Sequence, residues 1–255
     1  MKGPREPRLT ETTRFQQHSG KENRLTFGVW NDANLIHSFW GKPGPQSEMC
    51  LALKTSSNYP NTITSEFPSR KIQSLRQVHS NRTLIVDGKK PEGSRVSGHD
   101  AIFTNRRDIY IAITVADCLP IFIHDGINQI AGLIHAGWRG TFLGITARAI
   151  REASLKLGLD CSHSKFVLGP CIQSCCFKVS SDVAILFPEE NVVNRNGSAF
   201  IDIPSANRSQ LMQAGVSPEN IHILRECTFC NPDRFYSYRR TKDLKQKMVA
   251  LMGVM

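Results

Sequence analysis

The chain has 255 residues, 40% of them hydrophobic and 21% charged, with 18 Gly and 13 Pro. This ordinary globular composition excludes collagen-like, low-complexity and disordered classes, and the length allows one large domain or two small ones with a core that needs no disulfide or metal staple. The formal charge of 32 − 22 = +10 favours a phosphate-bearing partner. However, the basic residues gather at the N-terminus and between Arg234 and Lys247, with no RNP, KH or zinc-finger pattern, so no nucleic acid partner is expected.

Residues 1–24 combine Lys2, Arg5, Arg8, Arg14, Lys21 and Arg24 with almost nothing apolar and read as a flexible basic arm. The arm opens Met1-Lys2-Gly3-Pro4-Arg5-Glu6 without an apolar stretch behind it, and no later apolar run is long enough for a bilayer. A cytoplasmic chain with no membrane partner is therefore expected. Leu25–Trp30 and Leu35–Trp40 read as strands, and Gly41–Ser47 as a loop. Ile72–Val78 and Arg82–Val86 flank His79-Ser80-Asn81, and Lys89–His99 is a polar loop. Ile109–Val115, Pro120–His124 and Ile130–Ile134 are apolar and rich in β-branched residues, as strands require.

The period then changes. Phe142, Ile145, Ala149, Ile150, Ala153 and Leu157 recur at helical spacing up to Gly158. Further strands are expected at Lys165–Leu168, Val192–Val193, Ala199–Ile201 and Ile221–Leu224, with a helix over Pro204–Ala214. Leu244, Met248, Leu251, Met252 and Met255 fall on one helical face and predict a packed C-terminal helix. The interleaving gives an α/β (α+β) class: mixed β-sheets with packed helices.

Eight cysteines occupy positions 50, 118, 161, 171, 175, 176, 227 and 230. Without a secretory signal a disulfide framework is not expected. Cys227-Thr228-Phe229-Cys230 has metal-knuckle spacing, and Cys171 and Cys175 could supply a second pair for a structural zinc; the alternative is buried cysteines acting as small hydrophobes.

His79, Cys118 and His135 each follow an apolar strand, and side chains at adjacent strand exits can share one cleft. Two imidazoles and a thiolate suit Zn²⁺, with copper as a second option, and three protein ligands leave a coordination position open. In His135-Ala136-Gly137-Trp138-Arg139-Gly140-Thr141, the glycines bracket Arg139 ahead of a helix beginning near Thr141. Backbone N–H groups and the guanidinium could seat a phosphate there, or the segment could simply be a capped helix with a surface arginine.

Six segments in order make the sequence recognisable. They are Arg76-Gln77-Val78-His79-Ser80, Ala116-Asp117-Cys118-Leu119-Pro120, His135 to Gly140, Leu168-Gly169-Pro170-Cys171-Ile172, Cys227-Thr228-Phe229-Cys230-Asn231-Pro232 and Phe235-Tyr236-Ser237-Tyr238-Arg239-Arg240. Together they resemble the YfiH-type family, also called the laccase-domain or polyphenol oxidase family, whose members are regarded as purine nucleoside phosphorylases. The resemblance covers residues 25–255 as a single domain. It implies one zinc on His79, Cys118 and His135, and phosphorolysis of adenosine, inosine and S-methyl-5'-thioadenosine, with adenosine deamination as a second activity. Purine nucleosides and phosphate are then the partners, bound by a monomer or homodimer. The sequence departs from the family pattern at Phe177 and Lys178 and at Gln246-Lys247, positions that bear on substrate preference more than on the metal.

On that reading Arg139 and Arg239 bind anions, and Asp117 supports the Cys118 thiolate or carries a proton. Three rivals remain. A multicopper oxidase needs paired histidines, and the eight histidines include no His-x-His. A cysteine hydrolase would use Cys118 as nucleophile with His135 or His79 as base, and a polyanion-binding module would rest on charge alone. The cytidine-deaminase type is excluded, because neither His-x-Glu nor Pro-Cys-x-x-Cys occurs.

Overall fold

The computed structural model describes residues 15–17, 24–30, 32, 34–42, 71–88 and 95–255. Two sheets pack face to face. The larger runs in the order Phe15–Gln17, Arg24–Phe27, Leu35–Trp40, Met248–Val254, Ile109–Val115, Lys71–Arg76 and Arg95–Ser97. The second runs Ile221–Ile223, Lys165–Leu168, Leu119–Asp125, Ile130–Ala136, Ala101–Thr104 and Thr83–Val86. A small third sheet joins Lys178–Val179, Ser198–Ile201 and Val192–Arg195.

The alternation of side chains along each strand builds the layers. Ile109, Ile111, Ile113, Met248, Ala250 and Met252 from the first sheet meet Phe122, Leu133 and Val167 from the second in the central core. Their neighbours Tyr110, Ala112, Val249 and Leu251 form a separate cluster on the outer face. On the far face of the second sheet, Ile121, Ile123, Ile130 and Ile134 pack with Ile145, Ala149, Ile150 and Ala153 of the helix Ile145–Leu157. That helix ends as expected at Gly158, whose φ of 78° suits a left-handed cap, its N–H reaching Ser154 O. The helix Ile203–Gln213 is capped by Asp202, which accepts a hydrogen bond from Ser205 N at 2.9 Å. Among the described residues no helix is long and apolar enough to cross a membrane.

The mixed-sheet α+β class expected from sequence is observed. Most predicted strands are present, with ends displaced by up to three residues. Two short strands, Arg95–Ser97 and Ala101–Thr104, lie where a loop was expected or nothing was assigned. The expected arm contains the edge strand Phe15–Gln17, paired with Leu25 to Phe27. The rest of residues 1–23, most of the Gly41–Ser47 loop and Cys50 lie outside the described residues. Gly144, at φ 73°, divides the expected long helix, so Phe142 ends a short separate turn, Trp138–Phe142, that is already under way at Thr141.

The C-terminal helix is the clearest correction. Met248–Val254 is a strand between Leu35–Trp40 and Ile109–Val115, buried on both faces. A continuous apolar run fits both periods, and this one is too short for a stable helix but long enough for a central strand. Two of the five supposed helix-face residues, Leu244 and Met255, are 70% and 39% exposed.

Gly253 explains how this strand fits: an added Cβ would sit 2.4 Å from Tyr110 Cδ1 and 3.2 Å from Ile109 O. Gly253→Ala should lower stability by about 1–3 kcal/mol through overpacking, seen as a lower urea midpoint at unchanged slope. An unchanged midpoint would show that the Tyr110 ring moves aside freely.

Candidate metal centre

Lys71–Arg76 runs parallel to both Arg95–Ser97 and Ile109–Val115, so all three strands of the first sheet end on the same side. After each, the chain crosses to the second sheet, into Thr83–Val86, Ala101–Thr104 and Leu119–Asp125 respectively. His79, Asp100 and Cys118 lie in these three crossovers, and His135 is the penultimate residue of the neighbouring strand Ile130–Ala136. The topology itself therefore gathers residues far apart in sequence.

His79, Cys118 and His135 each place one ligand atom within 4.8 Å of the others. Cys118 Sγ lies 3.8 Å from His79 Nε2, and the two imidazole centroids are 4.9 Å apart. His135 is buried, Cys118 half-buried and His79 exposed, so the group is closed towards the core and open towards a cleft. Gly137 keeps it open, since an added Cβ would stand 2.8 Å from His79 Cδ2 and 3.0 Å from Cys118 Sγ. The donor set and this free space fit a transition metal with an open position.

The sequence analysis missed Asp100, which is fully buried. Its Oδ1 accepts from His79 N and pairs with His135 Nδ1, both at 2.9 Å. Its Oδ2 accepts from Ser80 N at 2.7 Å, Ser80 Oγ at 2.8 Å and Val78 N at 3.3 Å. Three successive N–H groups converge on one carboxylate because His79 adopts φ 61°, a left-handed value a histidine rarely takes. The bond to Nδ1 leaves His135 Nε2 for a metal. The one sequence signal was an acid directly preceding the apolar Ala101-Ile102-Phe103.

Electrostatics follow from this packing. Burial alone would raise the Asp100 carboxyl, but His135 and the Ser80 donors outweigh it and hold the group near a pKa of about 2. Burial would likewise lower His135, yet the Cys118 thiolate and Asp100 raise it to about 9. Burial pushes the Cys118 thiol up, and the charge of His135 with bonds from both histidines brings it to about 6. With no metal bound, an imidazolium–thiolate pair is the favoured state, poised for a cation to replace the proton.

Asp117 is buried rather than solvated. Its carboxylate accepts from Thr228 Oγ1 at 2.6 Å, Ser237 Oγ at 3.0 Å and Arg239 N at 2.7 Å. With φ 84° it turns the chain sharply into Cys118. These bonds occupy both oxygens and make it a tether for the 228 and 237–239 segments. His124, an imidazole without an assigned role, bonds to Asp32 at 2.9 Å, and His99 Nδ1 lies 3.0 Å from Ser97 O.

The cleft beside the three ligands has a volume of about 590 Å³. Its walls include Trp138, Phe177 and Tyr238, and its cations are Arg76, Arg95, Arg139, Arg239, Lys242 and Lys247, against only Asp117 and Asp243. Arg139 lies over the Trp138 ring, 4.3 Å from its centroid. Arg239 lies over Phe177 at 5.2 Å and donates to Lys178 O at 2.8 Å. Burial, then the charge of Arg95, lowers the Lys247 ammonium from the usual lysine range. The expected helix-terminus anion seat reduces to the one short turn beginning at Trp138.

The second cysteine pair is corrected by the structure. Cys171 is fully buried and bridges to Cys227 through the backbone. Cys176, not Cys171, joins Cys175, Cys227 and Cys230, because the Cys171 side chain is buried in the core.

The sequence model of a family described as multi-copper polyphenol oxidoreductase laccase matches residues 56–255. Purine nucleoside phosphorylase LACC1 of Mus musculus is 31% identical over 231 residues, 81% of this chain and 53% of its own. This chain thus spans about half the length of that relative. Purine nucleoside phosphorylase YlmD of Bacillus subtilis is 30% identical over 191 residues, 70% of this chain and 69% of its own. Adenosine deaminase RL5, from an unknown prokaryotic organism, is 34% identical over 179 residues, 65% of this chain and 68% of its own. The crystal structure of YlmD from Geobacillus stearothermophilus superposes with a TM-score of 0.83 at 25% identity, covering 94% of this chain and 98% of that one.

Asp100→Asn removes the charge that orients His135 and places an amide among donors. Zinc affinity, measured by chelator competition, should fall roughly 10–100-fold, while His99→Ala should leave it unchanged. Equal affinity in Asp100→Asn would show that His135 is oriented without the carboxylate.

Proposed function

The chain belongs to the YfiH-type family, the polyphenol oxidoreductase laccase group whose curated relatives include purine nucleoside phosphorylases and an adenosine deaminase, and on that footing we propose that it cleaves purine nucleosides with phosphate, deaminating adenosine as a second activity. The observation that carries this reading is the cleft: an excess of cations with almost no free carboxylate, walled by aromatic rings, beside a three-ligand centre. Cations that outnumber the acids around them await an anion, and the volume is in the range of small-molecule sites.

His79, Cys118 and His135 would hold the metal, with zinc favoured by two imidazoles and a thiolate and copper as the lesser alternative. When bound, such an ion supplies Lewis acidity and lowers the pKa of coordinated water. The protein's own residues do the rest. Arg139, braced on Trp138, and Arg239, tied to Lys178 O, are the anion-binding groups; held in place beforehand, they hold phosphate against the sugar with little reorganisation. Phe177, Trp138 and Tyr238 offer apolar faces on which a purine stacks. Asp117 acts as a positioning residue, since it fixes the Arg239 backbone and the turn into Cys118. Phe177, one of the departures from the family pattern, lies in the wall itself and so bears on which nucleoside is preferred.

The oxidase reading loses support from the ligands: the centre offers three donors, and no His-x-His pair occurs in the chain. A cysteine hydrolase would use the same Cys118 and His135, and phosphate dependence separates the two readings. Metal-replete protein should release free purine from adenosine, inosine and S-methyl-5'-thioadenosine only when phosphate is present. Cys118→Ala should reduce release by about a hundredfold or more, and Arg139→Ala should raise the phosphate KM by roughly tenfold, the equivalent of one charge-assisted bond. Purine release independent of phosphate, or none from metal-loaded protein, would overturn the phosphorylase reading.

A further inference from the structure

Away from the three-ligand centre, the turn Cys175-Cys176 meets the knuckle Cys227-Thr228-Phe229-Cys230. All four sulfurs lie within 4.8 Å of one another; Cys230 Sγ is 3.7 Å from Cys175 Sγ and 3.3 Å from Cys176 Sγ. A zinc with four thiolates at about 2.3 Å has tetrahedral sulfur–sulfur edges of about 3.8 Å. A disulfide needs a separation of about 2.05 Å, and an iron–sulfur cluster, whose cysteines bind different irons, spreads its sulfurs farther. The observed spacing matches a single tetrahedral ion.

The backbone holds this arrangement by bonds that do not involve a metal. Cys171 N donates to Glu226 O and Thr228 N to Cys171 O, at 3.2 and 3.0 Å, locking the two segments together. Cys176 N closes its own turn onto Gln173 O at 2.9 Å. Arg240 Nη1 donates to Thr228 O and Phe229 O at 3.0 and 2.9 Å, and Asn231 Nδ2 to Cys227 O at 2.8 Å. Backbone N–H groups of Gln173 and Cys230 also point to Cys227 Sγ. Free cysteines as small hydrophobes would be buried, yet Cys175 and Cys230 are exposed.

We propose that Cys175, Cys176, Cys227 and Cys230 form a second, structural zinc site, closed by four protein ligands and distinct from the His79–Cys118–His135 centre. Binding releases the thiol protons to solvent and leaves a centre of net charge −2, with the Arg240 guanidinium bonded to the knuckle carbonyls of Thr228 and Phe229. The site pins the turn leading to Phe177 against the segment whose Thr228 bonds to Asp117, and so fixes one wall of the cleft.

The test is a metal count on the full chain after exposure to a mild chelator, compared with Cys175→Ser/Cys230→Ser and with Cys118→Ala. About two zinc ions are expected in the wild type and about one in each variant. The ion retained by Cys118→Ala should be replaceable by cobalt, giving the absorption of a tetrahedral thiolate site. One ion in the wild type that disappears in Cys118→Ala would overturn the proposal, as would an intact mass two daltons low from a disulfide in this cluster. A second measurement needs no variant: in zinc-replete wild type, Cys175 and Cys230 should resist alkylation until zinc is stripped. Alkylation at the rate of exposed free thiols would also overturn the proposal. None of these readings uses nucleoside cleavage, so failure of the phosphorylase reading would leave them unchanged.

Discussion

One buried carboxylate, Asp100, organises the centre. Removing such a group from water is costly unless all its lone pairs are used, and here backbone and side-chain donors from 78–80 and the His135 ring occupy it. The same bonds define the position of two of the three ligands. His79 would be strained in its left-handed conformation were its N–H, with those on either side, not aimed at a full negative charge. Asp100 O also accepts from His135 N at 2.7 Å, so backbone and side chain of one residue tie the crossover to the adjacent strand.

Asp117 repeats the device one crossover further on. It too is a buried acid, here itself in the left-handed conformation, and it gathers donors from Thr228, Ser237 and Arg239. The two carboxylates differ in what they hold. Asp100 fixes ligands, while Asp117 fixes the walls of the cleft and only indirectly Cys118. A sandwich in which three parallel strands leave one sheet for the other on the same side supplies such turns in a cluster. Chemistry located there can vary in its walls without disturbing the ligands.

Much of this was legible in the sequence because strands obey simple periodicity. The runs Ile109–Val115 and Ile130–Ile134 locate the strand ends near which Cys118 and His135 stand, and Gly158 marks its helix end. Asp100 was hidden because the strand before it, Arg95–Ser97, is three residues long with one partly buried position, too short for any period to show. The C-terminal strand was misread for the opposite reason: buried on both faces, it has no polar positions to reveal alternation. Cys176 is not marked by spacing along the chain, which cannot show that the Cys171 side chain is buried in the core. Long-range pairing decides such cases, and only the fold provides it.

The chemistry of the two sulfur-bearing clusters divides along softness and closure. Mixed nitrogen and sulfur donors at a cleft floor leave a position free and suit an ion that must exchange ligands. Four sulfurs around one ion leave no position free and suit an ion that only holds chain together. The 173–177 and 227–237 segments, which lead to the cleft residues Phe177, Tyr238 and Arg239, contain little regular secondary structure. Their rigidity must come from specific bonds rather than from helix or sheet, and Asp117, Arg240 and the four thiols supply these from three directions. Arg239 reaches the cleft from this frame, its N–H bonded to Asp117 and its guanidinium to Lys178 O. On the proposed function, that is the condition under which an anion-binding arginine contributes orientation as well as charge.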